Sequence, residues 1–209
     1  MKRNSADCIS CKVYKCKKGE KDHLPSFCPM NDGSIYEEAA LLLEKHREFF
    51  VNCSVIEKKG YGVWPRAREI IEFIKAMNFK RIGLAFCSGF RREAKMLSEI
   101  FKEHGIELIG VMCKTGGTDK SVAGIPEECK LKPGHFEAHC NPIAQALVLN
   151  KEETEFNIIL GLCVGHDSLF MKYSEALCTT LVTKDRVTGH NPVAALYLKD
   201  SYMKSKLGL

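Results

Sequence analysis

Three short apolar runs that each finish on a cysteine constrain this chain more than any other feature: Arg81-Ile82-Gly83-Leu84-Ala85-Phe86-Cys87, Glu107-Leu108-Ile109-Gly110-Val111-Met112-Cys113 and Asn157-Ile158-Ile159-Leu160-Gly161-Leu162-Cys163. None spaces its hydrophobic residues as a helix does, and apolar stretches of this length read as strands buried on both faces. Helical patterns lie between them. Phe90, Ala94, Leu97, Ile100 and Phe101 mark one amphipathic face that stops at Gly105, and Pro142 opens another helix with Asn141 as its N-cap. Strand, helix and strand at this spacing form a βαβ unit with parallel strands and a right-handed crossover. The expected fold is therefore α/β, a three-layer Rossmann-like domain on a mainly parallel sheet of about four strands. Residues 179–183 supply the last strand, and 168–176 form a helix capped by Asp167 or Ser168.

Upstream, Ser34-Ile35-Tyr36-Glu37 has the capping-box pattern, and Ile35, Ala39, Leu42, Leu43, His46, Phe49, Phe50 and Cys53 then form one helical stripe. Cys53 and His46 on that stripe read as core residues. After Gly60-Tyr61-Gly62, Pro65 opens a further helix with Ala67, Ile70, Ile71, Ile74 and Met77 on its inner face. Residues 114–141 look irregular, and a stretch so long covers a functional site or contains short elements.

Eleven cysteines in 209 residues, with no apolar leader behind the basic start, indicate a cytoplasmic chain that uses thiols and metal sites rather than disulfides. No apolar run is long enough to span a bilayer. Cys8, Cys11, Cys16 and Cys28 sit in a Lys-, Gly- and Pro-rich stretch with almost no apolar periodicity, so residues 1–31 form a small lobe that needs a metal to fold. Zinc and an iron-sulfur cluster both suit its cysteines. Residues 32–209 form the α/β domain. The formal net charge of +5 would fall to about +1 if two four-cysteine sites each held a zinc, so it argues weakly for a nucleic-acid partner. A basic knuckle of Lys12, Lys15, Lys17 and Lys18 has only Tyr14 near it for base stacking.

Parallel strands place their carboxyl ends on one edge, where open α/β sheets bind ligands. That argument brings together Cys87, Cys113 and Cys163, and it adds Cys140, which immediately precedes a helix start facing the same edge. Cys178 belongs to the far edge and Cys129 to a charged stretch. Helix starts near 89, 142, 168 and 192 would favour thiolates or another anion there. Ser88, Glu137, His166, Asp167 and His190 are the acid-base candidates beside these sulfurs. His135 and His139 lack the metalloprotease order, and Thr115-Gly116-Gly117-Thr118 lacks the Walker lysine.

The amino-terminal cysteine set, Ala85-Phe86-Cys87-Ser88-Gly89, His139-Cys140-Asn141-Pro142, Gly161-Leu162-Cys163-Val164-Gly165-His166-Asp167 and Lys184-Asp185-Arg186 through Gly189-His190-Asn191-Pro192 resemble the uncharacterised cysteine-rich metal-binding protein family of anaerobic bacteria and archaea. That resemblance implies metal binding without naming a reaction. A looser, fold-level similarity to the thiouracil desulfidases implies a 4Fe-4S cluster on three cysteines, with one iron open to substrate sulfur. Two expectations follow. The edge cysteines Cys87, Cys113, Cys140 and Cys163 hold an iron-sulfur cluster or zinc and act on a small, sulfur-containing substrate as a desulfidase or redox enzyme; or all four close around a metal in a non-enzymatic redox or sensing protein with a redox partner.

Overall fold

The computed structural model describes residues 5–209. The chain divides into two compact units, Met1–Lys58 and Lys59–Leu209. Among the described residues no helix is long and apolar enough to cross a membrane.

The larger unit carries the sheet. Its strands are β1 (Ile82–Phe86), β2 (Leu108–Met112), β3 (Phe156–Leu160) and β4 (Leu177–Val182), all parallel, in the order β2-β1-β3-β4. Residues of β3 are buried along its whole length, as a two-sided strand requires. Each cysteine expected to end a strand lies just outside it, in the first turn beyond. The last strand begins two residues earlier than expected, which places Cys178 inside it, opposite Asn157.

Within the helices the apolar spacing decides the faces. Helix Arg66–Ala76 buries Ile70, Ile71, Phe73 and Ile74, with Pro65 as its N-cap. Helix Arg91–Glu103 buries Ala94, Leu97 and Phe101 and is followed by Gly105 at φ 74°, the left-handed turn that a glycine accepts most readily. Helix Pro142–Lys151 starts where Asn141 accepts a hydrogen bond from the Ala144 amide at 2.9 Å. The crossover through Arg91–Glu103 runs from β1 to β2, whereas Pro142–Lys151 returns past β1 to reach β3. Right-handed crossovers in opposite directions put these helices on opposite faces, giving three layers. The reversal falls between β1 and β3, and the crevice at the carboxyl ends of those strands is where such sheets bind ligands.

One polar group sits in the middle of this sheet. Asn157 is fully buried on β3, accepting from the Thr154 hydroxyl at 2.9 Å and donating to the Ser174 hydroxyl at 2.8 Å. Its neighbour on β1 is Gly83, where an added Cβ would stand 1.9 Å from the Asn157 Oδ1. The glycine makes room for the amide.

Helix His166–Tyr173 begins earlier than the sequence suggests. Its N-cap is Gly165, not Asp167 or Ser168, because the amides of His166 and Asp167 both donate to the Cys163 carbonyl, at 3.0 and 3.2 Å. His166 and Asp167 therefore lie on the first helical turn. The stretch from 114 to 141 contains short 3-10 turns at Lys120–Ala123 and Glu127–Cys129 and an antiparallel bridge between Asp119 and Ala138.

In the smaller unit the continuous stripe expected over 35–53 is two helices, Gly33–Lys45 and Arg47–Gly60, the second continuing past the boundary at Lys58. The chain leaves helical geometry at His46, with φ −118° and ψ 22°, where its amide closes the last turn on the Leu43 carbonyl. The N-cap is Asp32, which accepts from the Ser34 amide, so Ser34 does not cap the helix. Cys53 and His46 are exposed, contrary to the expectation that they pack in a core. An i, i+3/i+4 stripe shows that a helix is amphipathic; it does not show what covers the apolar side. The two helices group with the cysteine-rich segment in this unit.

Candidate functional site

Four thiols meet at the carboxyl edge of the sheet. Cys113 is held there from both sides: its amide donates to the Phe86 carbonyl at 2.8 Å, and its carbonyl accepts from the Asn141 amide at 2.8 Å. The second bond docks the loop carrying Cys140 against the end of β2. The Cys113 sulfur then hydrogen-bonds with both Cys87 and Cys140. Cys163 completes the set, close enough to Cys140 for their charges to oppose one another.

The turn after β1 supplies backbone donors. The Ser88 amide donates to the Cys113 sulfur at 3.3 Å, and the Gly89 amide to the Cys87 sulfur at 3.5 Å. Side-chain cations surround the same sulfurs: Lys184 donates to Cys87, Arg186 reaches Cys163 at 3.6 Å, and Lys114 stands beside Cys140. Lys184 also lies over the Phe90 ring, 5.6 Å from its centroid. Four thiols among three cations make this an anion-favouring edge.

The environment separates the thiols by acidity. Hydrogen bonding from Cys113, reinforced by Lys114, brings Cys140 down to about 6, against the repulsion of Cys163 and the cost of burial. Cys87 is pushed up to about 12, because its proton is shared with Cys113 and the group is buried; these effects outweigh the Lys184 ammonium. The protons are thus ordered, with Cys87 a thiol and Cys140 a thiolate at neutral pH. His166 is half-buried in the same place. Burial, aided by the Lys114 charge, lowers its pKa, so the imidazole is neutral and able to take a proton.

Among the acid-base candidates, His166 and Asp167 share the helix turn after Cys163, and Ser88 contributes its backbone to Cys113. His190 is fixed in a turn: its Nδ1 accepts from the Asp185 amide at 3.1 Å, its own amide donates to the Asp185 carbonyl at 2.7 Å, and its ring packs on Phe90 at 4.6 Å. Glu137 is committed to the loop between β2 and the next helix. It pairs with Lys120 at 2.6 Å and accepts from the Leu131 amide at 2.7 Å. His139 bridges the Thr118 hydroxyl and the Cys140 carbonyl.

Three groups that sequence reasoning did not place in the site belong there. Lys114 follows Cys113 directly, so a cation next to a strand-end thiol was a readable signal. Lys184 and Arg186 arrive from the segment after β4 and needed the sheet order to be located. Gln145 is fully buried beneath the edge and donates to the Val111 carbonyl at 2.7 Å and the Phe86 carbonyl at 3.3 Å, tying together the strand ends that carry Cys87 and Cys113. Its signal was a lone amide among Ile143, Ala144, Ala146 and Leu147.

In the amino-terminal unit, Cys8, Cys11, Cys16 and Cys28 line one cavity. Among the described residues no three His, Cys, Asp or Glu side chains are disposed to hold a metal ion, in this unit or at the sheet edge. The all-sulfur donor sets suit a thiophilic metal chemically, while their present spacing does not suit a single ion.

Comparison with known proteins gives a family and no chemistry. A family profile described as "Protein of unknown function (DUF1847)" matches residues 28–181, a stretch that contains all four edge cysteines but starts at Cys28. An uncharacterised protein of Methanocaldococcus jannaschii, MJ0455, is 49% identical over 152 residues, covering 73% of this chain and 76% of that protein. No solved structure matches.

Proposed function

The chain belongs to the DUF1847 family, whose function is unknown, and from the geometry of its sheet edge we propose that it is a thiolate enzyme of redox type acting on a small anionic, sulfur-containing substrate. The observation that carries this reading is the hydrogen-bonded pair of Cys140, held as a thiolate, and Cys113, its thiol neighbour. Lys114, Lys184 and Arg186 receive the anion.

The reaction that fits the pair is thiol-disulfide exchange. The Cys140 thiolate attacks one sulfur of a substrate disulfide, forming a mixed disulfide and releasing the other sulfur as a thiolate. Cys113 then gives up its proton, with neutral His166 as the acceptor, and attacks the Cys140 sulfur. The substrate leaves as two thiols, having gained two electrons and two protons, and Cys113 and Cys140 are left joined. A reduced dithiol or other two-electron redox partner returns the pair to its starting state.

Cys113→Ser should stop the second step and accumulate the mixed disulfide on Cys140. Intact mass and peptide mapping after reaction with a small anionic aryl disulfide check this. A variant that forms no adduct at Cys140, or places it mainly on Cys163, would refute the assignment.

The sulfur-only donor set favours a second reading, in which an iron-sulfur cluster or zinc occupies the edge on three or four of Cys87, Cys113, Cys140 and Cys163. Such a centre would supply Lewis-acid or electron-transfer chemistry. Iron, zinc and sulfide analysis of anaerobically purified protein carrying Cys140→Ser and Cys163→Ser, against the parent chain, separates the readings: loss of bound metal with these two sulfurs favours the second.

A further inference from the structure

We propose that the cavity of the amino-terminal unit seats an iron-sulfur cluster ligated by Cys8, Cys11, Cys16 and Cys28, and not a single zinc ion. The inference stands independently of what the sheet edge does.

The argument rests on space and lining. A tetrahedral zinc site draws its four sulfurs to within about 4 Å of one another, since each Zn–S bond is about 2.3 Å, and so leaves nothing open between them. Here the four cysteines surround a cavity of about 290 Å³, and among the described residues no three metal-binding side chains converge on one point. That volume is roughly ten times the share of a water molecule in the liquid. It suits a multi-atom inorganic core.

The rest of the lining is apolar. Val13, Leu24, Phe27 and Met30 face the same space, and a cavity of this character does not hold ordered water well. The surrounding chain has little to close it with: the short helix Lys15–Lys18 and the 3-10 turn Pro29–Asn31 bury no residue. Protein interiors are close-packed, so a segment with no core of its own around a void of this size is organised by what fills it.

Local backbone geometry places the ligands around the space. The Cys11 amide donates to the Cys8 carbonyl at 3.4 Å, closing the turn between the first pair. Tyr14 at φ 47° and Gly19 at φ 74° turn the chain on either side of Cys16 in the left-handed region. Cys28 is brought back by its amide bond to the Pro25 carbonyl at 2.9 Å. Ligation removes one proton from each thiol, and the resulting anionic cluster would sit beside Lys15, which also lines the cavity. Ring edges of Phe27 and Tyr36 border the cavity and would limit access of water and oxygen to it.

The test uses the full chain purified without oxygen, before and after reconstitution with ferrous and ferric iron and sulfide. Equal amounts of iron and acid-labile sulfide are expected, with a broad visible absorption that dithionite bleaches. Cys16→Ser with Cys28→Ser should reduce that absorption at least tenfold, whereas Cys140→Ser with Cys163→Ser should retain it. Alkylation footprinting of the unsubstituted chain gives a readout that does not depend on a variant folding: Cys8, Cys11, Cys16 and Cys28 should be protected when loaded and become reactive when a chelator removes the iron. One zinc per chain protecting the four cysteines, iron that survives in the Cys16/Cys28 variant, or no iron uptake on reconstitution would each overturn the proposal.

Discussion

In metal-free protein at pH 7, iodoacetamide should modify Cys140 on the order of a hundredfold faster than Cys87. With pKa values of about 6 and about 12, the two thiolate fractions differ by about five powers of ten. The less acidic thiolate is intrinsically the better nucleophile, and a Brønsted slope of about 0.5 returns about three of those powers. Burial of Cys87 then widens the remaining gap. The rate at Cys140 should rise through pH 6 and level off above it, because the reacting species is the thiolate.

The same depression has a consequence for folding. A group with a lowered folded-state pKa contributes stability that is complete above its unfolded value, about 8.5 for a thiol, and that is lost as the pH falls through about 6. Since Cys113 is the chief cause, Cys113→Ala should move the alkylation midpoint of Cys140 upward toward the ordinary thiol range. Site-resolved mass spectrometry over a pH series checks both statements. A midpoint that stays near its original value after Cys113 is removed would show that the thiol pair is not what holds the thiolate.

Gly161→Ala should cost about 2–3 kcal/mol of stability, an overpacking penalty with a backbone penalty added. Gly161 sits at φ 66° immediately beyond β3, and a Cβ there would lie 2.2 Å from the Phe90 ring. Phe90 is buried, packs on His190 and lies under Lys184, so it cannot retreat without moving the cation that reaches Cys87. The variant should therefore lose both unfolding free energy in urea and the reactivity difference between Cys87 and Cys140. Unfolding at the parental midpoint would mean that the close approach of Gly161 and Phe90 is not a constraint of the fold.

The sheet was legible because its residues leave few choices. Runs such as Ile82–Phe86 and Phe156–Leu160 are too short and too evenly apolar for anything but buried strands, and parallel pairing then carries Cys87, Cys113 and Cys163 to one edge. Cys140 was legible through Asn141 and Pro142, whose helix-start chemistry is local. Other features depend on partners distant in sequence. Gly165 rather than Asp167 caps its helix because the Cys163 carbonyl is placed to take two amides, which no residue preference encodes. Glu137 looked like an acid beside the cysteines, but Lys120 and the amides around Leu131 claim it. Lys184 and Arg186 lie after the last strand, and only the order β2-β1-β3-β4 brings them over Cys87 and Cys163. Cysteine counting, for its part, speaks of donor chemistry and not of the distances between donors.

The central claim, that Cys113 and Cys140 work as a pair at the sheet edge, is tested most directly by mapping the disulfide that forms when the unsubstituted, metal-free chain is treated with one equivalent of a small anionic aryl disulfide. The account predicts one dominant product, the peptide containing Cys113 joined to the peptide containing Cys140, with two equivalents of aryl thiol released. A product that joins Cys163 or Cys178 to another cysteine, or an aryl adduct on Cys140 that Cys113 never displaces, would contradict it.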